Sequence, residues 1–132
     1  DSPFDLRLAV RRLRDVQNTM YHDLPGVRRR VPQNLAHVHP DVLRAAAIEE
    51  GSLVEVASRH GAIRLPVRAD ADVRPGVVSI PHGWGDLLDA PASACAPGAN
   101  VNCLTHAAAG SDPINAMPCL TGLPVRLRAV AA

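Results

Sequence analysis

Twelve prolines and nine glycines are spread along the whole chain, and this punctuation is the tightest constraint on its fold. Proline breaks a helix interior and glycine weakens one, so short strands joined by turns are favoured over long helices. The apolar residues follow the same grain. Ile63, Leu65 and Val67 alternate with Arg64, Pro66 and Arg68, the period-two pattern of a half-buried strand. Leu53, Val54 and Val56 make the strand before it, turned back by Arg59-His60-Gly61. Asp5 to Val10, Leu35 to His39, Val77 to Ile80 and Pro124 to Val130 read as further strands. Pro66 has no N–H to give a ladder, so it fits best at an edge or at irregular pairing.

Between these strands the chain carries helix and turn signals. Arg11 to Leu24 is polar and mixed, ending in the turn signal Pro25-Gly26, and Arg28 to Arg30 reads as a solvated face. Pro40 suits the first turn of a helix and Asp41 complements its positive end. Val42 to Glu50 carries that helix and Gly51 stops it, while His39, just ahead, is placed to satisfy its first amides. Arg74-Pro75-Gly76 is a tight turn. Pro81 to about Ala99 is a Gly/Pro/Ala-rich loop, Asn100 to Thr105 a polar-apolar patch, and Ala107 to Pro118 a small-residue loop. The fold class is therefore mainly β: six or seven short strands with one or two short helices, closing as a β-barrel with long loops. The 132 residues suit one domain, 1–132, with one core and no internal repeat.

Composition narrows the function classes. Apolar residues make up 47%, which argues against disorder. The core must be aliphatic, because Phe4, Tyr21 and Trp84 are the only aromatics. A net charge of +1 selects neither nucleic acid nor membrane as partner. No apolar run approaches the ~20 residues needed to span a bilayer. All fourteen basic residues are arginine, whose planar fork suits phosphate oxygens. Cys95, Cys103 and Cys119 form no C-x-x-C pair and read as reduced thiols. No signal peptide is present, and the expected location is the cytoplasm, with export of the parent enzyme left open. The opening Asp-Ser-Pro, without Met, suggests an internal fragment.

Common catalytic patterns are not met. His37-x-His39 would share one strand face but lacks a third ligand at a convincing spacing. Ser79, His82 and Asp86 lie close in sequence, yet no nucleophile elbow frames the serine. Three segments are more informative. Pro81-His82-Gly83-Trp84-Gly85 sets the lone Trp between glycines after a strand. Such a ring is either a platform for a flat heterocycle or a plug at the barrel end. In Asn100-Val101-Asn102-Cys103-Leu104-Thr105 the carboxamides match a pterin or purine edge, or make ordinary turns. Arg12, with Gln17, Asn18 and Thr19, offers one fork for a phosphate and nearby hydrogen-bonding groups.

In order and spacing, several motifs together resemble a known family. They are His39-Pro40-Asp41, Glu50-Gly51-Ser52-Leu53-Val54-Glu55-Val56, Ser58-Arg59-His60-Gly61, Val73-Arg74-Pro75-Gly76-Val77-Val78, Pro81 to Gly85, Asn102-Cys103-Leu104-Thr105 and Asp112-Pro113. From about Leu8 to Val130 the chain looks like the molydopterin dinucleotide-binding domain that closes large subunits of the dimethyl-sulfoxide-reductase superfamily, formate dehydrogenases and nitrate reductases included. The resemblance implies a double-psi β-barrel that binds molybdopterin guanine dinucleotide, commonly as a pair around one molybdenum or tungsten atom. It places cofactor contacts at Arg12, Gln17, Asn18, Thr19, Asn102, Thr105 and Asp112, with His82, Gly83 and Trp84 lining the cofactor or its channel.

It also implies that the metal ligand and any catalytic residue lie in upstream domains of an oxidoreductase. Those domains are then the partners, with a possible electron-transfer subunit. The isolated domain is expected to be inactive and to hold no cofactor alone. Two departures stand out. Ala47 occupies the place of a helix-ending glycine, an exchange that would leave the left-handed cap absent or shifted. After Asp112-Pro113 an expected Lys is missing, which removes one anionic contact. The alternative reading is a stand-alone double-psi barrel acting as a protein- or substrate-binding module, since fold does not fix function.

Overall fold

A computed structural model describes residues 4–85, 98–106 and 110–130. Six strands close into one barrel: β1 (Leu6–Arg11), β2 (Ala36–Val38), β3 (Leu53–Ala57), β4 (Ala62–Ala69), β5 (Val77–Pro81) and β6 (Leu123–Ala129). Their order around the wall is β1-β5-β2-β4-β3-β6. β1 pairs with β5 and β2 with β4 in parallel; the other four neighbours are antiparallel. A closed wall has no free edge to protect. With only short helices beside it among the described residues, the architecture is the mainly β barrel that the sequence implies. No helix among the described residues is long and apolar enough to cross a membrane.

Alternation fills the interior. Ile63, Leu65 and Val67 point inward, buried to 6%, 1% and 2% exposure, as their spacing requires. Leu8, Val38, Val54, Val56, Val78, Ile80, Leu104 and Val125 complete an aliphatic core. Burial of each such side chain is worth about 1.5–3 kcal/mol. A separate, smaller cluster joins Val16, Val27 and Trp84. Pro66 is accommodated at an unbonded position. The β3–β4 ladder bond runs from Val67 N–H to Ser52 O (3.0 Å), and pairing of β4 with β2 starts only at Val67.

The helices depart from expectation. Pro25-Gly26 starts a short helix, α1 (Pro25–Arg30), rather than a turn. Proline's fixed φ suits a first helical turn, and its missing N–H is no loss there. Val27 packs inward while Arg28, Arg29 and Arg30 stay exposed. The second helix, α2 (Pro40–Ala45), stops well before Gly51. His39 Nδ1 accepts from the Asp41 N–H (3.1 Å), as its position ahead of the helix suggests.

α2 ends because Ala47 itself takes a left-handed conformation (φ 52°). Ile48 N–H donates to Leu43 O (3.0 Å) and Ala47 N–H to Arg44 O (3.2 Å). This is the Schellman pattern, sealed by contact between buried Leu43 and Ile48. The left-handed cap is therefore present and unshifted despite the missing glycine. The polar-apolar patch at Asn100 is also more regular than a loop: Val101–Leu104 is one turn of 3-10 helix, η1.

Candidate functional site

The strand registers give the barrel two unlike ends. At one end β1, β3 and β5 finish while β2, β4 and β6 begin. Arg12, the turn at 17–20, His82–Trp84 and η1 all cluster at this end, and each is placed by long-range contact. Arg11 and Pro81 are register partners, so Arg12 and His82 leave the wall side by side. His82 N–H donates to Arg11 O (3.3 Å). Its ring Nδ1 lies 3.2 Å from the same oxygen, and Nε2 lies 3.1 Å from Asn18 Oδ1. Both ring nitrogens thus lie within hydrogen-bond reach of oxygens, which ties His82 to the end of β1 and to the 17–20 turn.

Asn18 sits in a tight turn at positive φ (54°), closed by a Met20 N–H bond to Gln17 O (2.8 Å). Gly83 is needed where this turn lands. A Cβ at Gly83 would come within 1.9 Å of Asn18 O. Gln17, Asn18 and Thr19 are all exposed on the turn. Arg12 is exposed and forms no ion pair among the described residues. With Val10, His82, Leu120 and Thr121 it lines an open cleft of about 200 Å³.

Trp84 corrects one expectation. Its indole is 2% exposed, packed with Val16 and Val27 and edge-on to His22 at 4.1 Å between ring centres. His22 Nε2 in turn lies 3.3 Å from Asn18 O. Neither face of the indole is open to stack on a heterocycle, so Trp84 is the plug that seats the 17–20 turn. The driving force is apolar burial of a large ring beside small apolar partners.

η1 forms the other half of the site. The Asn100 side chain caps it by accepting from Asn102 N–H (3.0 Å). Thr105 Oγ1 donates back to Asn102 O (2.8 Å), which spends that hydroxyl on the local fold. The exposed Asn102 carboxamide makes no hydrogen bond among the described residues. Ser58 docks η1 on the β3–β4 turn: its hydroxyl donates to Leu104 O (2.7 Å) and accepts from His60 N–H (3.0 Å). A cleft of about 330 Å³ opens beside it, lined by Arg59, His60, Thr105, His106, Cys119 and Leu123 among others. The His60 and His106 rings stand 5.3 Å apart there.

Asp112 is used differently from the other candidates. Its Oδ1 accepts from Ile114 N–H (2.9 Å) and Asn115 N–H (3.0 Å). Those bonds, from Asn115 and then Ile114, hold its carboxyl below the usual range. The side chain thus caps its own loop.

A further cluster of titratable groups, Arg11, His37 and Asp70, serves the barrel wall. Arg11 Nε donates to Ser79 Oγ (2.8 Å), and its Nη2 reaches Asp70 (3.2 Å). Asp70 also meets His37 Nδ1 (3.0 Å). Burial, then the Arg11 charge, pushes the His37 imidazole below its ordinary value, and the Asp70 contact only partly offsets this. Burial raises the Asp70 carboxyl, but the Asp72 N–H, Arg11 and His37 outweigh it and leave it lowered. Ser79 is thus engaged by arginine, and Asp86 lies outside the described residues. No group of three or more His, Cys, Asp or Glu could hold a metal among the described residues. Burial raises the Cys103 thiol, Cys119 is exposed, and Cys95 is outside the described residues.

Sequence reasoning missed Ser58, Arg59, His60 and Asn34 as parts of this end. The Ser-Arg-His-Gly turn offered a weak signal, since a polar hairpin tip is ordinary. Asn34 offered none.

The comparisons with known proteins agree with this geometry. A family model described as "Molydopterin dinucleotide binding domain" matches residues 6–124. Among solved structures, the fold is similar to that of an acetylene hydratase from Pelobacter acetylenicus, with a TM-score of 0.81 and 21% identity. The alignment covers 96% of this chain and 18% of that one, so this chain spans under a fifth of that protein.

Proposed function

The chain belongs to the molydopterin dinucleotide binding domain family, and we propose that it is the part of a larger molybdenum or tungsten oxidoreductase that grips molybdopterin guanine dinucleotide. The observation that carries this reading is the pair of uncommitted donors at one barrel end. The Arg12 fork and the Asn102 carboxamide are both exposed and unbonded among the described residues; Arg12 lines a cleft of about 200 Å³, and Thr105, which ends the η1 turn that carries Asn102, lines one of about 330 Å³. This donor set fits the group. A guanidinium matches phosphate oxygens, and a carboxamide offers the donor and acceptor that a heterocycle edge demands.

Arg12 binds a phosphate, with Thr19 and Gln17 as neighbouring hydrogen-bonding groups. His82 and Asn18 hold each other and fix the rim beside Arg12. Asn102 addresses a ring edge, and Arg59 extends positive charge along the second cleft, with the His60 ring beside it. Trp84, Gly83, Thr105 and Asp112 position these groups instead of touching the cofactor. When bound, the metal with its pterin dithiolene supplies electron transfer, and the protein supplies grip and orientation. The metal ligand, the substrate pocket and any contact with an electron-transfer subunit belong to upstream domains, and no residue of this chain is catalytic.

The test is Asn102→Ala, and separately Arg12→Ala, in the full-length parent enzyme. Each is expected to weaken cofactor retention about 10- to 100-fold while leaving the barrel folded by circular dichroism. Undiminished molybdenum, guanine nucleotide and activity in both variants would reject Arg12 and Asn102 as the groups that grip the cofactor.

A further inference from the structure

Asn34 is 1% exposed and lies just ahead of β2, outside every motif considered so far. A buried carboxamide is costly unless its hydrogen bonds are made, and here three are. Nδ2 donates to Pro81 O (3.0 Å) and to Ala99 O (2.8 Å), and Oδ1 accepts from Ala99 N–H (2.9 Å). The side chain therefore pairs with Ala99 as a strand neighbour would, and with the end of β5 at the same time. Pro81 and Ala99 bracket residues 82–98. His82, Gly83 and Trp84 follow the first anchor at once, and Asn100, Asn102 and Thr105 follow the second.

The clamp is tight around its partners. A Cβ on Gly98 would stand 2.5 Å from Asn34 Oδ1 and 3.0 Å from Trp84 Cδ1. A Cβ on Gly85 would meet Asn100 N at 2.5 Å. The segments around Gly85 and Gly98 are thus pressed closely together, with no room for a Cβ at either glycine. Among the described residues, no other side chain bonds to both anchors.

We propose that Asn34 is a positioning residue that sets the spacing between the Arg12–His82 half and the Asn102 half of the cofactor site. It touches no ligand. It acts by joining Pro81 to Ala99, so that two groups of donors on separate segments face one bound molecule at a fixed separation. The inference rests on the cofactor reading above and adds what keeps the two halves in register. Alignment of this kind matters because binding groups displaced by about 1 Å lose much of their effect.

The test uses the full-length parent enzyme and counts guanine nucleotide retained through dialysis. Asn34→Leu is expected to lose nucleotide about 10- to 100-fold faster than wild type, the range seen when an orienting partner is removed. Leu43→Ala, a buried truncation on α2 at the opposite barrel end, is the control for general destabilisation and is expected to retain it. Equal loss in both variants, or retention in Asn34→Leu, would overturn the inference.

Asn34→Asp gives a second readout should the leucine variant not fold. A carboxylate facing two carbonyls is disfavoured, so its pKa rises, and only the protonated form can restore a donor. Retention relative to wild type should therefore recover as pH falls. A ratio that stays flat with pH would contradict the assignment. Wild-type enzyme without guanine nucleotide would instead reject the cofactor reading itself, and this inference with it.

Discussion

The two ends of the barrel use glycine and polar side chains for opposite purposes. At the α2 end, Gly76 sits at φ 86° with nothing within 4 Å of where a Cβ would stand. It is there because the turn Arg74–Val77, closed by a 3.1 Å bond, needs that backbone conformation. At the other end, Gly83 has a similar φ of 90°, but a Cβ there would meet Asn18 O at 1.9 Å. Local rules build the first end. Distant segments pressed into contact build the second, and that is where uncommitted polar side chains collect. The contrast teaches that a ligand-binding rim can be recognised by glycines that make room for backbone rather than for a turn.

Removing the plug should break that contrast most severely. Trp84→Ala is expected to cost about 3–5 kcal/mol, as for other fully buried large aromatics. The loss falls on the small cluster with Val16 and Val27, so the His82 and Met20 amides, bonded to Arg11 O and Gln17 O, should exchange faster while the barrel strands stay protected. Urea unfolding and hydrogen exchange report the two parts.

Gly83→Ala and Gly76→Ala sharpen the comparison at nearly equal φ. Strain alone costs about 1 kcal/mol, and that is the full effect expected at Gly76. At Gly83 the collision with Asn18 must be relieved as well, and a loss of about 3 kcal/mol is expected. Equal urea midpoint shifts would remove the distinction between the two ends.

A gain is expected at the local end. Ala47 holds φ 52° in the Schellman cap of α2, so Ala47→Gly should raise stability by roughly 1 kcal/mol. Thermal unfolding checks it, and a lower midpoint would mean that the cap is formed differently.

The smallest effect concerns the wall. The His37 imidazole is lowered from 6.5, so the unfolded chain takes up a proton before the folded one does. Stability is complete above pH 6.5 and falls as pH drops from there toward the folded value. Asp70, lowered from 3.8, adds a further loss only in stronger acid. His37→Gln should flatten the first fall in urea titrations; an unchanged slope would show that His37 does not carry it.

What could be seen in the sequence follows the same division. The strand alternation in Ile63, Leu65 and Val67 and the Arg74–Gly76 turn depend on neighbours in the chain, so their positions were readable. Pro25-Gly26 misled because proline serves a turn and a first helical turn equally well. Ala47 departs from the glycine preference of such caps because tertiary burial of Leu43 and Ile48 holds an alanine in place.

The site was half visible. Arg12 and Asn102 stood out by residue type and family motif, and the structure places both on one rim. Trp84 could be read as platform or plug, and only the burial of its ring decides between them. Asn34 could not be found, because its three partners lie at Pro81 and Ala99, far away in sequence.

The central claim is that this barrel end holds a metal-bearing dinucleotide, and it is tested most directly on the full-length protein purified from its native host. Molybdenum or tungsten and acid-released guanine nucleotide are measured on the same preparation. The account predicts metal and guanine nucleotide together, both diminished in Arg12→Ala. Neither metal nor nucleotide in the native protein would contradict it.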